Sequence, residues 1–491
     1  MSDSLKDRRA GVLLHPTSLP GHCRQGRLGS TARAFVDFLH SAGFSVWQML
    51  PLGPTHEDRS PYQCLSVHAG NVELISLEDV AAAGWLDQTL IPEEFDATSC
   101  TALLQQARAG FETAATAEQK AAFKTFRENH SEWLGDYALY RAIRQVHDHA
   151  TWLDWPAALR DRDATALAEF SEQHAELIEQ ACFEQHLFFM QWHALRDYAH
   201  SQQVLLFGDI PIFVAHDSAD VWANRGLFSV DASGALEVVA GVPPDYFSAT
   251  GQRWGNPLYR WDSLQADNFE WWIQRFRTQL ELFDIVRLDH FRGFEKYWEI
   301  PATAETAIEG HWIEAPGEAL FSRLQQVFGK LPLVAEDLGL ITPEVDALRE
   351  AFGLPGMKIL QFAFGSGSDN PYLPHNHTAS AVVYTGTHDN DTTLGWYQGM
   401  DAAQQQAVLD YLGHPAEPMP WPLIRAALAS VAGLAIIPLQ DLLELDSEQR
   451  MNTPGVHGDN WGWRFTTEQI PEGLAARLRH LVEMYGRAVS Q

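Results

Sequence analysis

Basic residues are scarce in this chain: 34 Lys and Arg stand against 64 Asp and Glu, a formal net charge of -30 over 491 residues. Such a field repels nucleic-acid phosphates and anionic membrane surfaces, so neither is expected as a partner, and a neutral or cationic ligand is easier to accommodate. Cysteine is scarcer still. The four, Cys23, Cys64, Cys100 and Cys182, are widely spaced with no CxxC pair. That excludes a disulfide framework and a cysteine-based zinc site, and it fits free thiols in a reducing compartment. No apolar run is long enough to cross a bilayer, and the longest candidate, Ser430 to Leu439, is about half the required length. The polar start, Met1 to Ala10, followed by the short run Gly11 to Leu14, lacks a signal-peptide core, so a cytoplasmic protein is expected. Internal repeats and low-complexity linkers are absent too, which argues against solenoids and strings of beads.

Aromatic residues, by contrast, are plentiful: 17 Trp, 12 Tyr and 26 Phe. Flat rings with a polar handle suit stacking on sugars, although core packing uses them as well. Length alone allows two or three domains or one large barrel. The pattern favours the barrel. Eight apolar or β-branched runs end in polar residues: Gly11 to Leu14, Phe44 to Leu52, Val204 to Ile212, Phe283 to Asp289, Leu331 to Glu336, Met357 to Phe364, Ala379 to Asp389 and Leu434 to Asp441. Helical periodicity separates most of them, as at Thr31 to Ala42, Glu184 to Gln202, Glu318 to Phe328 and Trp421 to Ala432. Strand alternating with helix implies a parallel sheet, and eight units imply a (β/α)8 TIM barrel spanning 1–491. Two intervals break the rhythm. Residues 53–183 read as a mostly helical insertion between strands 2 and 3, with helical stretches at Ala102 to His130 and Ala164 to Glu179. Residues 213–266, rich in Gly, Pro, Asp and aromatics, read as a long ordered loop on the C-terminal face.

In such barrels chemistry sits where strands end. Four strands read as ending in an acid: Asp209 in Leu205 to Asp209, Asp289 in Ile285 to Asp289, Glu336 in Leu333 to Glu336 and Asp389 in Thr385 to Asp389. Acids there also serve as helix caps, but four together are more than capping explains. Along the fourth strand Ile285, Arg287 and Asp289 share one face, which places a guanidinium below the carboxylate and favours its ionised form. Cleaving an acetal needs one carboxylic acid to protonate the departing oxygen and one carboxylate to meet the oxocarbenium-like carbon. Asp289 and Glu336 end neighbouring strands, about 4.8 Å apart, so their tips can approach the roughly 5 to 5.5 Å of a retaining pair.

The chain resembles the amylomaltase or disproportionating-enzyme family, cousins of the α-amylases. The resemblance rests on HPTSLPG (His15 to Gly21), WQMLPLGPT (Trp47 to Thr55), SPYQ (Ser60 to Gln63), GDIPIFVAHDSADVWAN (Gly208 to Asn224) and GVPPDYFSATGQRWGNPLY (Gly241 to Tyr259). It continues through VRLDHFRGF (Val286 to Phe294), AEDLG (Ala335 to Gly339), YTGTHDNDTT (Tyr384 to Thr393) and NTPGVHGDNWGWRF (Asn452 to Phe465). The resemblance implies a nucleophile at Asp289, a general acid/base at Glu336 and a transition-state stabiliser at Asp389. Arg287 and His388 would flank them, Tyr62 would lie against the sugar at the cleavage point, and Asp209 would be the superfamily's first acid. It implies transfer of α-1,4-glucan segments from maltooligosaccharides to the 4-hydroxyl of an acceptor such as glucose or maltose. The transfer proceeds by double displacement without metal or cofactor, in a monomer or weak homodimer. Asp245, Phe247, Ser248, Trp254 and Asn256 in the Gly241 to Tyr259 segment, with Tyr246, are expected as substrate contacts and a water-excluding wall. Asn460, Trp461, His375 and Asn376 are further candidates for substrate contact.

Three rivals stay open at this point. A plain α-glucan hydrolase would use the same cleavage residues and differ only in the partition between water and sugar. A metal-dependent barrel hydrolase would draw on His388, Asp389, Asp391 and His216 or Asp217, a set without the HxH or HExxH spacing of a strong metal signal. A non-catalytic glucan-binding barrel would have no use for all three acids.

Overall fold

The structure, a computed structural model, describes residues 7–21, 25–92, 97–244, 248–456 and 458–489. Its strands are β1 (Arg9–Leu13), β2 (Val46–Gln48), β3 (Leu205–Ile210), β4 (Val238–Val242), β5 (Gln252–Pro257) and β6 (Ile285–Leu288). They continue with β7 (Lys296–Pro301), β8 (His311–Glu314), β9 (Leu333–Ala335), β10 (Gly356–Ile359), β11 (Ala381–Tyr384) and β12 (Leu434–Pro438). Eight strands form an all-parallel sheet in the order β10-β11-β12-β1-β2-β3-β6-β9. Strands buried on both faces need continuous apolar sequence, and every residue of β11 and β12 is buried. β12 lies beside β1 from Arg9 opposite Leu434 to Leu13 opposite Pro438. Across the remaining seam the Ala335 N–H donates to the Pro355 carbonyl at 2.8 Å, and the Met357 N–H donates to Asp337 Oδ1 at 2.7 Å. The sheet is thereby a nearly closed (β/α)8 barrel. Outer helices bury one stripe each; Ser30–Ser41, for instance, turns Ala32, Phe35, Val36 and Leu39 inward.

Several apolar runs overshoot their strands. Met357 to Phe364 is extended only to Ile359 and then coils into a 3-10 turn, and Leu434 to Asp441 becomes helical at Leu439. Residues beyond the barrel rim stay buried under the loops, so the composition of a strand outlasts its pairing. Between β2 and β3 lie helices Ala97–Ala114, Ala117–Asn129, Leu134–Val146, Ala164–Gln173 and Ala175–Ser201. The stretch Ala102 to His130, read as one helical pattern, is broken where Thr116 and Gln119 form a capping box.

The interval 213–266, expected as loop, contains β4 and β5. With β7 and β8 they make an antiparallel sheet in the order β5-β4-β7-β8 over a small core of Val239, Ile300 and Ala307. These strands follow β3 and β6, so the sheet stands at the C-terminal end of the barrel. Asp245, Tyr246 and Phe247, between β4 and β5, lie outside the described residues. Among the described residues no helix is long and apolar enough to cross a membrane.

Candidate active site

Leu288 and Ala335, the last residues of β6 and β9, stand opposite each other in the parallel register. Asp289 and Glu336 are therefore the next residues out on adjacent strands. Their backbones continue the ladder, with the Asp289 N–H on the Ile210 carbonyl and the Glu336 N–H on the Leu288 carbonyl, both at 3.0 Å. His290 then takes a left-handed conformation, φ 47°, which aims its N–H at Glu336 Oε2 at 2.6 Å. The Trp254 ring, carried on β5, meets the His290 ring edge-on at 4.9 Å between centroids.

Arg287 is the hub of the site. Side-chain alternation along β6 puts it on the same face as Asp289, and its guanidinium forks: Nη2 lies 3.0 Å from Asp289 Oδ1 and Nη1 2.6 Å from Asp209 Oδ2. Asp209 sits inside β3, directly opposite Arg287 in the register, and not at the strand end. Its second donor is the Tyr62 hydroxyl at 2.7 Å, and with that proton committed His388 Nε2 donates to the Tyr62 oxygen at 2.9 Å. The Tyr62 and His388 rings stack, and Trp461 closes around both, with centroids 5.9 and 6.0 Å away.

Asp389 stands five residues beyond the end of β11, in a turn, which corrects the expectation that it ends a strand. Burial does not stop with the strand, since Thr385 beyond it is as fully buried as Tyr384 within it, so the sequence carries no mark of where pairing ends. Asp389 Oδ1 accepts from Asn452 Nδ2 at 2.6 Å, Oδ2 lies 3.3 Å from His388 Nε2, and its carbonyl accepts from Arg450 at 3.0 Å. An unbroken line of contacts thus runs Glu336, His290, Asp289, Arg287, Asp209, Tyr62, His388, Asp389.

Electrostatics divide the two central carboxylates. Burial pushes Glu336 up to about 8; Arg287 opposes the shift, and Asp289 adds to it. Burial also lifts Asp289, against the pull of Arg287, with Asp389 contributing. Asp289 has a direct ion pair whereas Glu336 has an amide N–H, so the shared proton belongs on Glu336. Burial holds His388 neutral down to about 4 and raises Asp209 to about 7 against Arg287. The arrangement supplies a protonated acid and an ion-paired carboxylate on adjacent strands, the two groups that acetal cleavage needs, with Asp389 as a third, half-exposed acid.

Other residues expected as substrate contacts also make bonds within the protein. Asn256 is buried and ties Gln63 (3.2 Å) to the Val214 carbonyl (2.8 Å). The Ser248 hydroxyl donates to the Gly251 carbonyl at 2.7 Å. His375 joins Tyr411 and the Ser368 carbonyl, both at 2.9 Å, and Asn376 reaches the Ser368 and Asn370 carbonyls. Asn460 accepts from the Thr453 N–H at 3.0 Å and so folds its own loop. His216 meets the Gly234 carbonyl at 2.8 Å, Asp217 pairs with Arg144 and Asp391 accepts from Ser447, so the residues of the metal-site rival are dispersed. Among the described residues no group of three or more His, Cys, Asp or Glu is placed to hold a metal ion. Sequence reasoning missed Asn452, Arg450 and His290. All three adjoin or lie within segments of the resemblance, but no rule about strand ends singles out an amide or a backbone N–H.

Comparison with known proteins agrees with this geometry. Residues 14–469 match the family model described as 4-alpha-glucanotransferase. The chain is 50% identical to a 4-alpha-glucanotransferase of Thermus thermophilus, covering 97% of this chain and 98% of the relative. It is 48% identical to one from Synechocystis, with 99% of each covered. An amylomaltase from Streptococcus agalactiae, solved with acarbose, superposes with a TM-score of 0.94 at 35% identity, covering 98% of this chain and all (100%) of that one.

Proposed function

The chain belongs to the 4-alpha-glucanotransferase family and is a glycosyl-transferring enzyme acting on α-glucans such as maltooligosaccharides, and from that premise we propose how its residues divide the work. Glu336, protonated, gives its proton to the glycosidic oxygen as Asp289 attacks the anomeric carbon. The reducing-end fragment leaves, and a β-linked glycosyl ester remains on Asp289. Glu336, now a carboxylate, takes the proton from the 4-hydroxyl of an acceptor, glucose or maltose among them, and the acceptor oxygen displaces Asp289 to restore the α-linkage. Asp389, with its Oδ1 fixed by Asn452, binds hydroxyls of the distorted sugar; Tyr62, backed by His388 and Asp209, lies against the ring. The observation that carries this reading is the juxtaposition of Asp289 and Glu336 on paired strands, one ion-paired to Arg287 and the other on the His290 amide.

Water outnumbers a millimolar acceptor so heavily that transfer needs roughly 6 kcal/mol of discrimination. We assign the exclusion of solvent from the glycosyl ester to the sheet of β4, β5, β7 and β8, a reading supported by the packing of Trp254 on His290. We read residues 53–183 as a subdomain of one catalytic barrel, and the protein as a cytoplasmic monomer or weak homodimer; Cys64, Cys100 and Cys182 are free, in keeping with a reducing compartment. The test is the product profile from maltotriose. Transfer conserves reducing ends while releasing glucose and longer chains. A steady rise in reducing ends would make hydrolysis the main activity and overturn the assigned second step.

A further inference from the structure

The turn from Thr385 to Thr393 carries His388 and Asp389, but the group that shapes it belongs to the next strand. Asp441 lies just past β12, in the short helix Leu439–Leu442, and is 1% exposed. The Thr385 hydroxyl donates to its Oδ2 at 2.5 Å and the Thr393 hydroxyl to the same oxygen at 2.7 Å, while the Thr393 N–H donates to Oδ1 at 2.7 Å. One carboxylate therefore grips the first and the last residue of the turn, and both threonines are fully buried.

Asp441's nearest partners are hydroxyls and an amide rather than a cation, an expensive way to occupy an interior position. An apolar side chain would fill the space, but it would leave the two feet of the turn unjoined. Other groups hold the turn as well: the Thr387 N–H donates to Asn390 Oδ1 at 2.8 Å, and the Gln361 N–H donates to the Thr385 carbonyl at 3.3 Å. Gln361 donates to the Asp391 carbonyl at 2.8 Å and Ser447 to Asp391 Oδ2 at 2.7 Å. Gly386 lets Gln361 approach, since a Cβ there would meet its amide nitrogen at 2.6 Å. Among these bonds, the grip of Asp441 is the one that joins Thr385 directly to Thr393, the two ends of the turn.

We propose that Asp441 is a positioning residue: by joining Thr385 to Thr393 it fixes the direction in which His388 and Asp389 face the sugar. It touches neither of them, and it acts through the backbone between. The proposal rests on Asp389 working in the reaction, as read above. A displacement of about 1 Å at such a group costs on the order of a hundredfold in rate.

The test is Asp441→Asn, which keeps the shape and one acceptor oxygen, assayed on maltotriose well below its melting temperature. The expected result is a fall in kcat of about ten- to hundredfold with KM changed less than about threefold. In an Asp389→Asn background the same substitution should cost several-fold less than in the parent, because the part of its route that runs through Asp389 is already cut. Thr385→Ser should stay within about twofold of the parent, while Thr385→Val falls about tenfold, a difference in hydroxyl that a merely structural role would not register in kcat. A folded Asp441→Asn with unchanged kcat overturns the proposal, as does a loss carried undiminished into the Asp389→Asn background. If Asp441→Asn does not fold, equal kcat for Thr385→Ser and Thr385→Val overturns it. Asp389→Asn as active as the parent would remove the reading of Asp389 itself, and the proposal with it.

Discussion

In the proposed mechanism a single proton decides the first half of the reaction. Burial lifts both carboxylates, and it is the Arg287 ion pair on Asp289 that leaves the proton on Glu336. With Glu336 pushed up to about 8, the acid form persists through neutrality, and kcat/KM for maltotriose should fall as pH rises through that value. An activated donor such as an α-maltosyl fluoride needs no proton on its leaving group, so its glycosylation step should lack that alkaline limb; a limb common to both donors would assign it to another group. Glu336→Gln should accumulate a maltosyl adduct on Asp289 from the same fluoride, read by intact mass. The shift has a cost in stability as well. A carboxyl whose folded pKa is raised favours folding fully below its unfolded value and loses that contribution as pH climbs through the folded one. Glu336→Gln should therefore melt higher than the parent near pH 9 and equally near pH 4, as scanning calorimetry can establish. Asn452 supplies the donor on Asp389, and Asn452→Ala should lower kcat by roughly tenfold to hundredfold with the fold intact by circular dichroism. Asp289 and Glu336 were legible in the sequence because a strand end is itself a sequence feature. Asn452 was not, since its meaning comes only from a partner 63 residues away in the chain.

Elements tell a similar story. The barrel strands announced themselves by unbroken apolar runs, because parallel strands covered on both faces tolerate little else. Antiparallel β4, β5, β7 and β8 did not: β5, Gln252–Pro257, contains Arg, Gly, Asn and Pro and is mostly half-exposed, so its composition resembles loop. In the proposed function that sheet acts through Trp254. Its contact with His290 links the sheet to the amide that holds Glu336, so Trp254→Ala should loosen both the solvent barrier and the acid. The expected outcome is a several-fold larger share of hydrolysis, read as reducing ends formed per glucose released from maltotriose; an unchanged ratio would place the barrier elsewhere in the sheet.

At the scale of the molecule, closure is the governing event. β12 docks beside β1, and Arg487 secures the join from outside: fully buried, it donates to the carbonyls of Arg9, Leu428, Ser430 and Ala432 at 2.7 to 3.0 Å. Arg487→Ala removes one donor from each of those carbonyls, of which Leu428 and Ser430 keep Arg8, and should cost about 2 kcal/mol or more, lowering the melting temperature while kcat at room temperature stays unchanged.

The active-site groups extend along the chain from Tyr62 to Trp461, with Asp389 fixed by Asn452 near the far end of that span. During translation, a ribosome exposes Asp289 and Glu336 long before Asn452 and Trp461 have been synthesised. On the proposed assignment the growing polypeptide thus carries Asp289 and Glu336 for a long stretch of synthesis without the partners that fix Asp389 and flank Tyr62, and glucan handling waits on the arrival of Asn452 and Trp461.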